Sequence, residues 1–193
     1  DWKALNNCSE KFASEDSGGK GLFFTGPTKW KNHDAERIEA LGMNFIIKNL
    51  ETVEAIWAEL DKAVKQKKPI VIFNWSPNSI GAKYTGKFVE FPTFDQNCIT
   101  DASWGVNPNA FYDCGNPTNN YLKLSVNENF KTNHPKAYKV IKNITFSSSD
   151  LDRMVYYVEW FKDNYIEDES LKEFHAASQW IKDNETKWSK WIK

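Results

Sequence analysis

An α/β protein wound around a parallel sheet is the architecture this sequence predicts, on three observations. Two short apolar runs, at 22–24 and 70–73, are strand-sized and lead into turn residues. A segment with helical apolar spacing opens at Thr52 and is closed by Pro69, just before the second run. Between residues 22 and 73 the elements alternate strand, helix, strand, helix, strand, the order of a wound parallel sheet.

Each element has a local reason. Residues 1–16 are expected to form a short helix and a connector. Leu22-Phe23-Phe24-Thr25 is the first strand, broken by Gly26-Pro27. Residues 34–41 read as a helix with Gly42 as its stop. Residues 44–48 form the next strand. Thr52 opens a helix with Val53, Ile56, Trp57, Leu60 and Val64 on one face. Glu51 and Glu54 near its start and Lys65, Lys67 and Lys68 at its end suit the helix dipole, and Pro69 closes it. Ile70-Val71-Ile72-Phe73 is uninterruptedly apolar, so a strand covered on both faces is expected. A short helix at 76–84 and a strand at 87–91 follow. From Pro92 to about Asn129 periodicity fades and Asn and Pro accumulate, which predicts a long structured loop. Beyond His134 the chain reads as helical, with helices at 151–157, 171–181 and 186–192. There is no internal repeat.

Charge and composition exclude several functions. The 25 basic and 26 acidic residues leave a net charge of -1. That offers no broad basic face for nucleic acid and no polybasic membrane anchor. No apolar run reaches the roughly 18 residues that cross a bilayer as a helix. Aromatic residues, at 15% with nine Trp, are the unusual feature. Trp57, Trp160, Trp180 and Trp188 stand at helical spacing among apolar partners and are assigned to packing; Trp2, Trp104 and Trp191 remain open. Trp30 and Trp75 differ. Each follows a strand, in Gly26-Pro27-Thr28-Lys29-Trp30 and Asn74-Trp75-Ser76-Pro77-Asn78. The carboxyl edge of an open α/β sheet is where ligands bind, and indole faces favour cations without hydrogen-bond donors.

Catalytic motifs are missing. Gly81-Ala82-Lys83-Tyr84-Thr85-Gly86-Lys87 lacks the Ser or Thr of a phosphate-binding loop, since Phe88 comes next. There is no nucleophile elbow and no carboxylate pair placed for acid-base work. His33, His134 and His175 have no metal-ligand spacing and read as surface or capping residues. Asp95, Asp101 and Asp113 have the oxygens to hold calcium, but they fit no loop pattern, and turn-forming aspartates are the preferred reading. Cys98 and Cys114 bracket a core-poor loop. A disulfide there would contribute roughly 3 kcal/mol by restricting the unfolded chain, and would imply an oxidising compartment; two buried thiols are the alternative. Cys8 is then left over. Asp1-Trp2-Lys3-Ala4-Leu5 reads like the interior of a folded segment, so a processed or truncated start is expected.

Taken in order, the motifs resemble a family. Asp1-Trp2-Lys3-Ala4-Leu5-Asn6, Ser17-Gly18-Gly19-Lys20-Gly21, Gly26-Pro27-Thr28-Lys29-Trp30, Ile38-Glu39-Ala40-Leu41-Gly42-Met43, Phe73-Asn74-Trp75-Ser76-Pro77-Asn78 and Trp104-Gly105-Val106-Asn107-Pro108 carry it. They are similar to the C-terminal two-thirds of periplasmic substrate-binding proteins of ABC importers for glycine betaine, choline and related osmolytes. Tyr112-Asp113-Cys114-Gly115-Asn116-Pro117 resembles the branch that binds trimethylamine N-oxide.

The resemblance implies a type II periplasmic-binding-protein architecture: two α/β lobes joined by a hinge, closing on a ligand whose head group sits in an aromatic box. Trp30 and Trp75 would be two walls, with Asn74, Pro77 and Asn78 shaping the second. Residues 1–70 would form the second lobe. Residues 71–193 would form the hinge return, the disulfide loop and the C-terminal helical part of the first lobe. Family members carry about another hundred residues, a domain-sized stretch, before the equivalent of Asp1. The first lobe is therefore expected to be incomplete here, and a further N-terminal lobe or chain is an expected partner beside the ABC permease. The implied function is capture of a methylated amine outside the cytoplasm, without bond chemistry or a required cofactor. The alternatives are a carbohydrate-binding protein using stacked tryptophans and, lower, a chemoreceptor lobe.

Overall fold

The structure, a computed structural model, describes residues 1–118, 122–164 and 171–193. The chain divides into two compact units, Asp1–Asn74 with Phe88–Asn120, and Trp75–Lys87 with Tyr121–Lys193.

The first unit is built on a parallel sheet. Helix α1 (Trp2–Asn6) starts at Asp1, whose carboxylate accepts the Ala4 N–H at 2.8 Å. Strands β1 (Gly21–Thr25), β2 (Phe45–Asn49) and β3 (Val71–Ile72) pair in the order β2-β1-β3. All pairs are parallel, with Phe23 opposite both Ile47 and Val71. Helix α2 (Asp34–Ala40) links β1 to β2, and α3 (Val53–Lys65) links β2 to β3. Phe23, Phe45, Ile47 and Val71 share one sheet face by register, and Ile38, Leu41 and Met43 close a core over it with Trp2, Leu5, Phe12 and Phe91. Because the chain steps from one side of β1 to the other, the right-handed crossover rule assigns α3 to the opposite face.

Local chemistry sets the boundaries. Thr52 caps α3 by accepting the Ala55 N–H at 3.2 Å. Ile56 is 0% exposed and Leu60 is buried, whereas Val64 at the last turn is exposed. Gly42 ends α2 with φ 59°, the left-handed conformation that a Cβ disfavours.

The second unit is helical among its described residues. It holds α4 (Ile80–Lys83), after which the chain returns to the first unit for α5 (Asn97–Thr100). It resumes with α6 (Phe130–Asn133), α7 (Pro135–Asn143), α8 (Ser148–Asn164), α9 (Lys172–Asp183) and α10 (Glu185–Trp188). Helix α8 packs on both α4 and α9. Trp180, 3% exposed, lies parallel to Trp191 at 5.8 Å and edge-on to Phe146 at 5.4 Å.

Several expectations are corrected. Residues 87–91 are not a strand: Lys87, Val89 and Phe91 have no ladder partner there, and Glu90 instead accepts the Trp2 N–H at 3.0 Å. β3 is only two residues long and half-buried, because it is an edge strand with β1 on one side. The helix expected at 76–84 shrinks to α4, since residues 76–79 form the turn described below. Trp160, read as a packing residue, is 38% exposed. The grouping also departs from the expected halves, 1–70 and 71–193: the disulfide loop joins the sheet unit.

Candidate functional site

The sheet order sets where a ligand can sit. In a 2-1-3 arrangement the connections diverge between β1 and β3, and open α/β sheets bind ligands outside the carboxyl ends of such strands. The chain leaving β1 carries Trp30, and the chain leaving β3 carries Phe73, Asn74 and then Trp75. Strand pairing continues one step past β3, where the Phe73 N–H donates to the Phe24 carbonyl at 2.7 Å.

Trp30 ends a single 3₁₀ turn, Thr28–Trp30, and is half-buried. Its ring lies 5.7 Å from that of Phe73, tilted by 56°. The indole also lies against the backbone of Gly26, where an added Cβ would collide with it. Hydrogen bonds hold both ends of this loop. The Asn49 side-chain amide donates to the Gly26 carbonyl at 2.9 Å, and the Asn32 amide donates to Thr25 Oγ1 at 2.8 Å. Thr25 Oγ1 donates in turn to Asp34 Oδ2 at 2.9 Å.

Asp34 and Arg37 form a buried ion pair on α2, at 2.9 Å. Burial is the main influence on both, pushing the Asp34 carboxyl up and the Arg37 guanidinium down. The bond from Thr25 and the attraction of the pair offset part of this. Arg37 also donates from Nε to the Cys114 carbonyl at 2.7 Å and from Nη2 to Asn116 Oδ1 at 2.7 Å, with its guanidinium 5.2 Å from the Phe91 ring centre.

The second tryptophan loop belongs to the helical unit. Trp75 is 36% exposed. The Ser76–Pro77 peptide is cis. Asn78 is buried and braces the turn from inside: its side-chain amide donates to the Trp75 carbonyl, and its Oδ1 accepts the Ile80 N–H at 2.9 Å. Asp152 on α8 fastens the turn from outside, as one carboxylate oxygen accepts Ser76 Oγ at 3.0 Å and the Asn78 N–H at 2.9 Å. Lys83 and Glu159 pair at 3.0 Å and add a second tie between α4 and α8.

Cys98 and Cys114 are joined by a disulfide. The loop it closes lies on α2: the Asn107 amide donates to the Ala40 carbonyl at 2.8 Å, and Tyr112 stacks on His33 at 4.0 Å. The three aspartates act within turns. Asp95 accepts the Asn97 N–H, Asp101 accepts the Ser103 N–H and Oγ, and Asp113, fully buried, accepts the Asn107 N–H. Among the described residues no three His, Cys, Asp or Glu side chains converge as a metal site. His33 and His134 stand at the amino ends of α2 and α7, and His175 lies against Phe161 and Phe174.

The sequence reading therefore located the tryptophan loops and missed their anchors. Arg37 meets its carbonyl partner 77 residues away, and Asp152 meets Asn78 across 74. No local pattern marks such pairs. The one available hint was an arginine and an aspartate at i and i+3 on an otherwise core-facing helix.

Residues 1–183 match the model of the OpuAC family, the substrate-binding domain of ABC-type glycine betaine transport systems. The chain is 35% identical, across its whole length, to the trimethylamine N-oxide-binding protein of Pelagibacter ubique (strain HTCC1062), and spans 58% of that protein. It is 27% identical to the glycine betaine/carnitine transport binding protein GbuC of Listeria monocytogenes serotype 1/2a (strain 10403S), with 71% of this chain aligned to 36% of that protein. Lactococcal OpuAC, solved in its closed-liganded conformation with glycine betaine, matches with a TM-score of 0.42 and 21% identity, covering 89% of this chain and 57% of that one.

Proposed function

Since the chain belongs to the family of substrate-binding domains of ABC-type glycine betaine transport systems, we propose that it captures a methylated amine osmolyte and delivers it to an ABC permease outside the cytoplasm. Trimethylamine N-oxide, glycine betaine and choline are the candidate ligands. Trp30 and Trp75 each turn an indole face to the methyl-coated nitrogen, and Asn74, Pro77 and Asn78 shape the surround of the second indole. The observation that carries this reading is the strand order, which makes β1 and β3 the switch-point strands and gives each a tryptophan in its exit loop.

The physics suits such a ligand. A quaternary nitrogen donates no hydrogen bonds, so removing it from water costs less than removing an ammonium. Each good indole face returns about 0.5–2 kcal/mol. Two faces give about 1–4 kcal/mol, well short of the roughly 8 kcal/mol of a micromolar complex. The rest comes from further walls and from donors to the carboxylate or oxide end. No bond is made or broken; the protein is a binder, and the ligand selects its closed state.

Calorimetric titration with trimethylamine N-oxide, glycine betaine, choline and simple sugars tests this. Saturable binding of at least one methylated amine is expected. Binding of sugars alone would replace the reading with a carbohydrate-binding one.

A further inference from the structure

We propose that Arg37 is a positioning residue for the Trp30 indole, transmitting the fixed shape of the disulfide loop to it. The inference rests on the reading of Trp30 as a ligand wall, but its geometry lies wholly within the sheet unit. Arg37 is 5% exposed, and three of its nitrogens are committed: one to Asp34, one to the Cys114 carbonyl and one to Asn116. The Cys114 carbonyl belongs to a residue held by the disulfide, so it is a fixed acceptor. On its other side the pair continues through Asp34 Oδ2 to Thr25 Oγ1 and on to the Asn32 amide. Thr25 is the last residue before the Trp30 loop, and Asn32 lies two residues after the indole. The relay thus closes across the base of that loop.

A buried ion pair is weak grounds for stability, because apolar residues of similar volume often serve as well. What a guanidinium supplies is a planar fork that fixes several acceptors at once, and lysine cannot reproduce it. The stack of His33 on Tyr112 gives the loop a second contact beside the relay. Loss of the fork should therefore free the Trp30 loop before it unfolds the sheet.

Fluorine NMR of the protein carrying 5-fluorotryptophan tests this, with the Trp30 signal assigned through Trp30→Phe. In Arg37→Lys and Thr25→Val the Trp30 signal should shift or broaden while the other tryptophan signals hold. Trimethylamine N-oxide affinity should fall about tenfold, the size of one lost charge-assisted contact. Wild-type protein under reductant should show the same Trp30 change. Thr25→Val keeps the side-chain shape and decides the matter if Arg37→Lys fails to fold. An unmoved Trp30 signal in Thr25→Val and under reductant would overturn the proposal. A moved signal in a wild-type protein that binds no methylated amine would sustain the positioning role and remove the transport reading instead.

Discussion

At the residue scale the two indoles carry the binding argument and a few polar side chains hold them. Trp30→Ala and Trp75→Ala should each weaken methylated-amine affinity by about 1–3 kcal/mol with the circular dichroism spectrum unchanged. Retained affinity in both would show that the ligand sits elsewhere. Gly26→Ala should approach the Trp30→Ala effect in the same titration, because the new Cβ occupies the place of the ring. Asp152→Ala removes the acceptor of two hydrogen bonds, to Ser76 and Asn78. A loss of about 1–3 kcal/mol in denaturant stability is expected, and an unchanged midpoint would show that the turn holds without it. The tryptophans were legible because they follow strands and turn residues in the chain. Arg37, Asp34 and Asp152 were not, because what makes them matter is a partner brought close only by folding.

Elements with a complete local grammar were read well. Helix α3 has its Thr52 cap and its apolar stripe and starts where expected, but it ends at Lys65, short of Lys68 and Pro69, with Lys67 in the left-handed region at φ 53°. Ile56→Ala on this helix should cost about 2–5 kcal/mol in a urea titration, since its side chain is wholly enclosed. Residues 87–91 misled because Lys-Phe-Val-Glu-Phe is rich in the strand-favouring Phe and Val, yet propensity does not supply a neighbouring ladder. Helix α8 begins earlier than expected, and the cause is visible in Ser147-Ser148-Ser149-Asp150. The Ser147 N–H donates to Asp150 Oδ2 at 2.6 Å and the Asp150 N–H to Ser147 Oγ at 3.2 Å, a reciprocal cap. Burial would raise Asp150, but hydrogen bonds from Lys187 and Ser147 outweigh it and its carboxyl lies below the ordinary 3.8. Asp183 is also lowered, by bonds from Tyr157 and Gln179. Groups depressed in the folded state lend stability above their unfolded value and lose it as pH falls through the folded one. Acid titration of the helical signal should therefore flatten below about pH 4 in Asp150→Asn and Asp183→Asn. In the disulfide loop, reductant should speed hydrogen exchange at 95–118 before it reaches the strands, and unchanged exchange there would mean the bridge is dispensable to the loop.

For the whole molecule, the wound sheet and the helical C-terminal part were readable from element order, whereas the grouping was not. The chain passes from the sheet unit to the helical unit at Asn74, returns at Phe88 and leaves again after Asn120. Nothing in local periodicity tells which unit a core-poor loop will join; the ties to α2 come from Arg37, from Asn107 and from the stack of Tyr112 on His33. The family describes the substrate-binding domain of a transporter, and the chain spans 58% of the trimethylamine N-oxide-binding relative. Near-neutral charge fits trimethylamine N-oxide and glycine betaine, which carry no net charge and gain little from long-range steering, better than it fits cationic choline. The proposal stands most directly on what the head group touches. A crystal structure of the protein with trimethylamine N-oxide should place the methylated nitrogen within about 6 Å of the ring centres of both Trp30 and Trp75. A head group bound away from either indole would contradict the account.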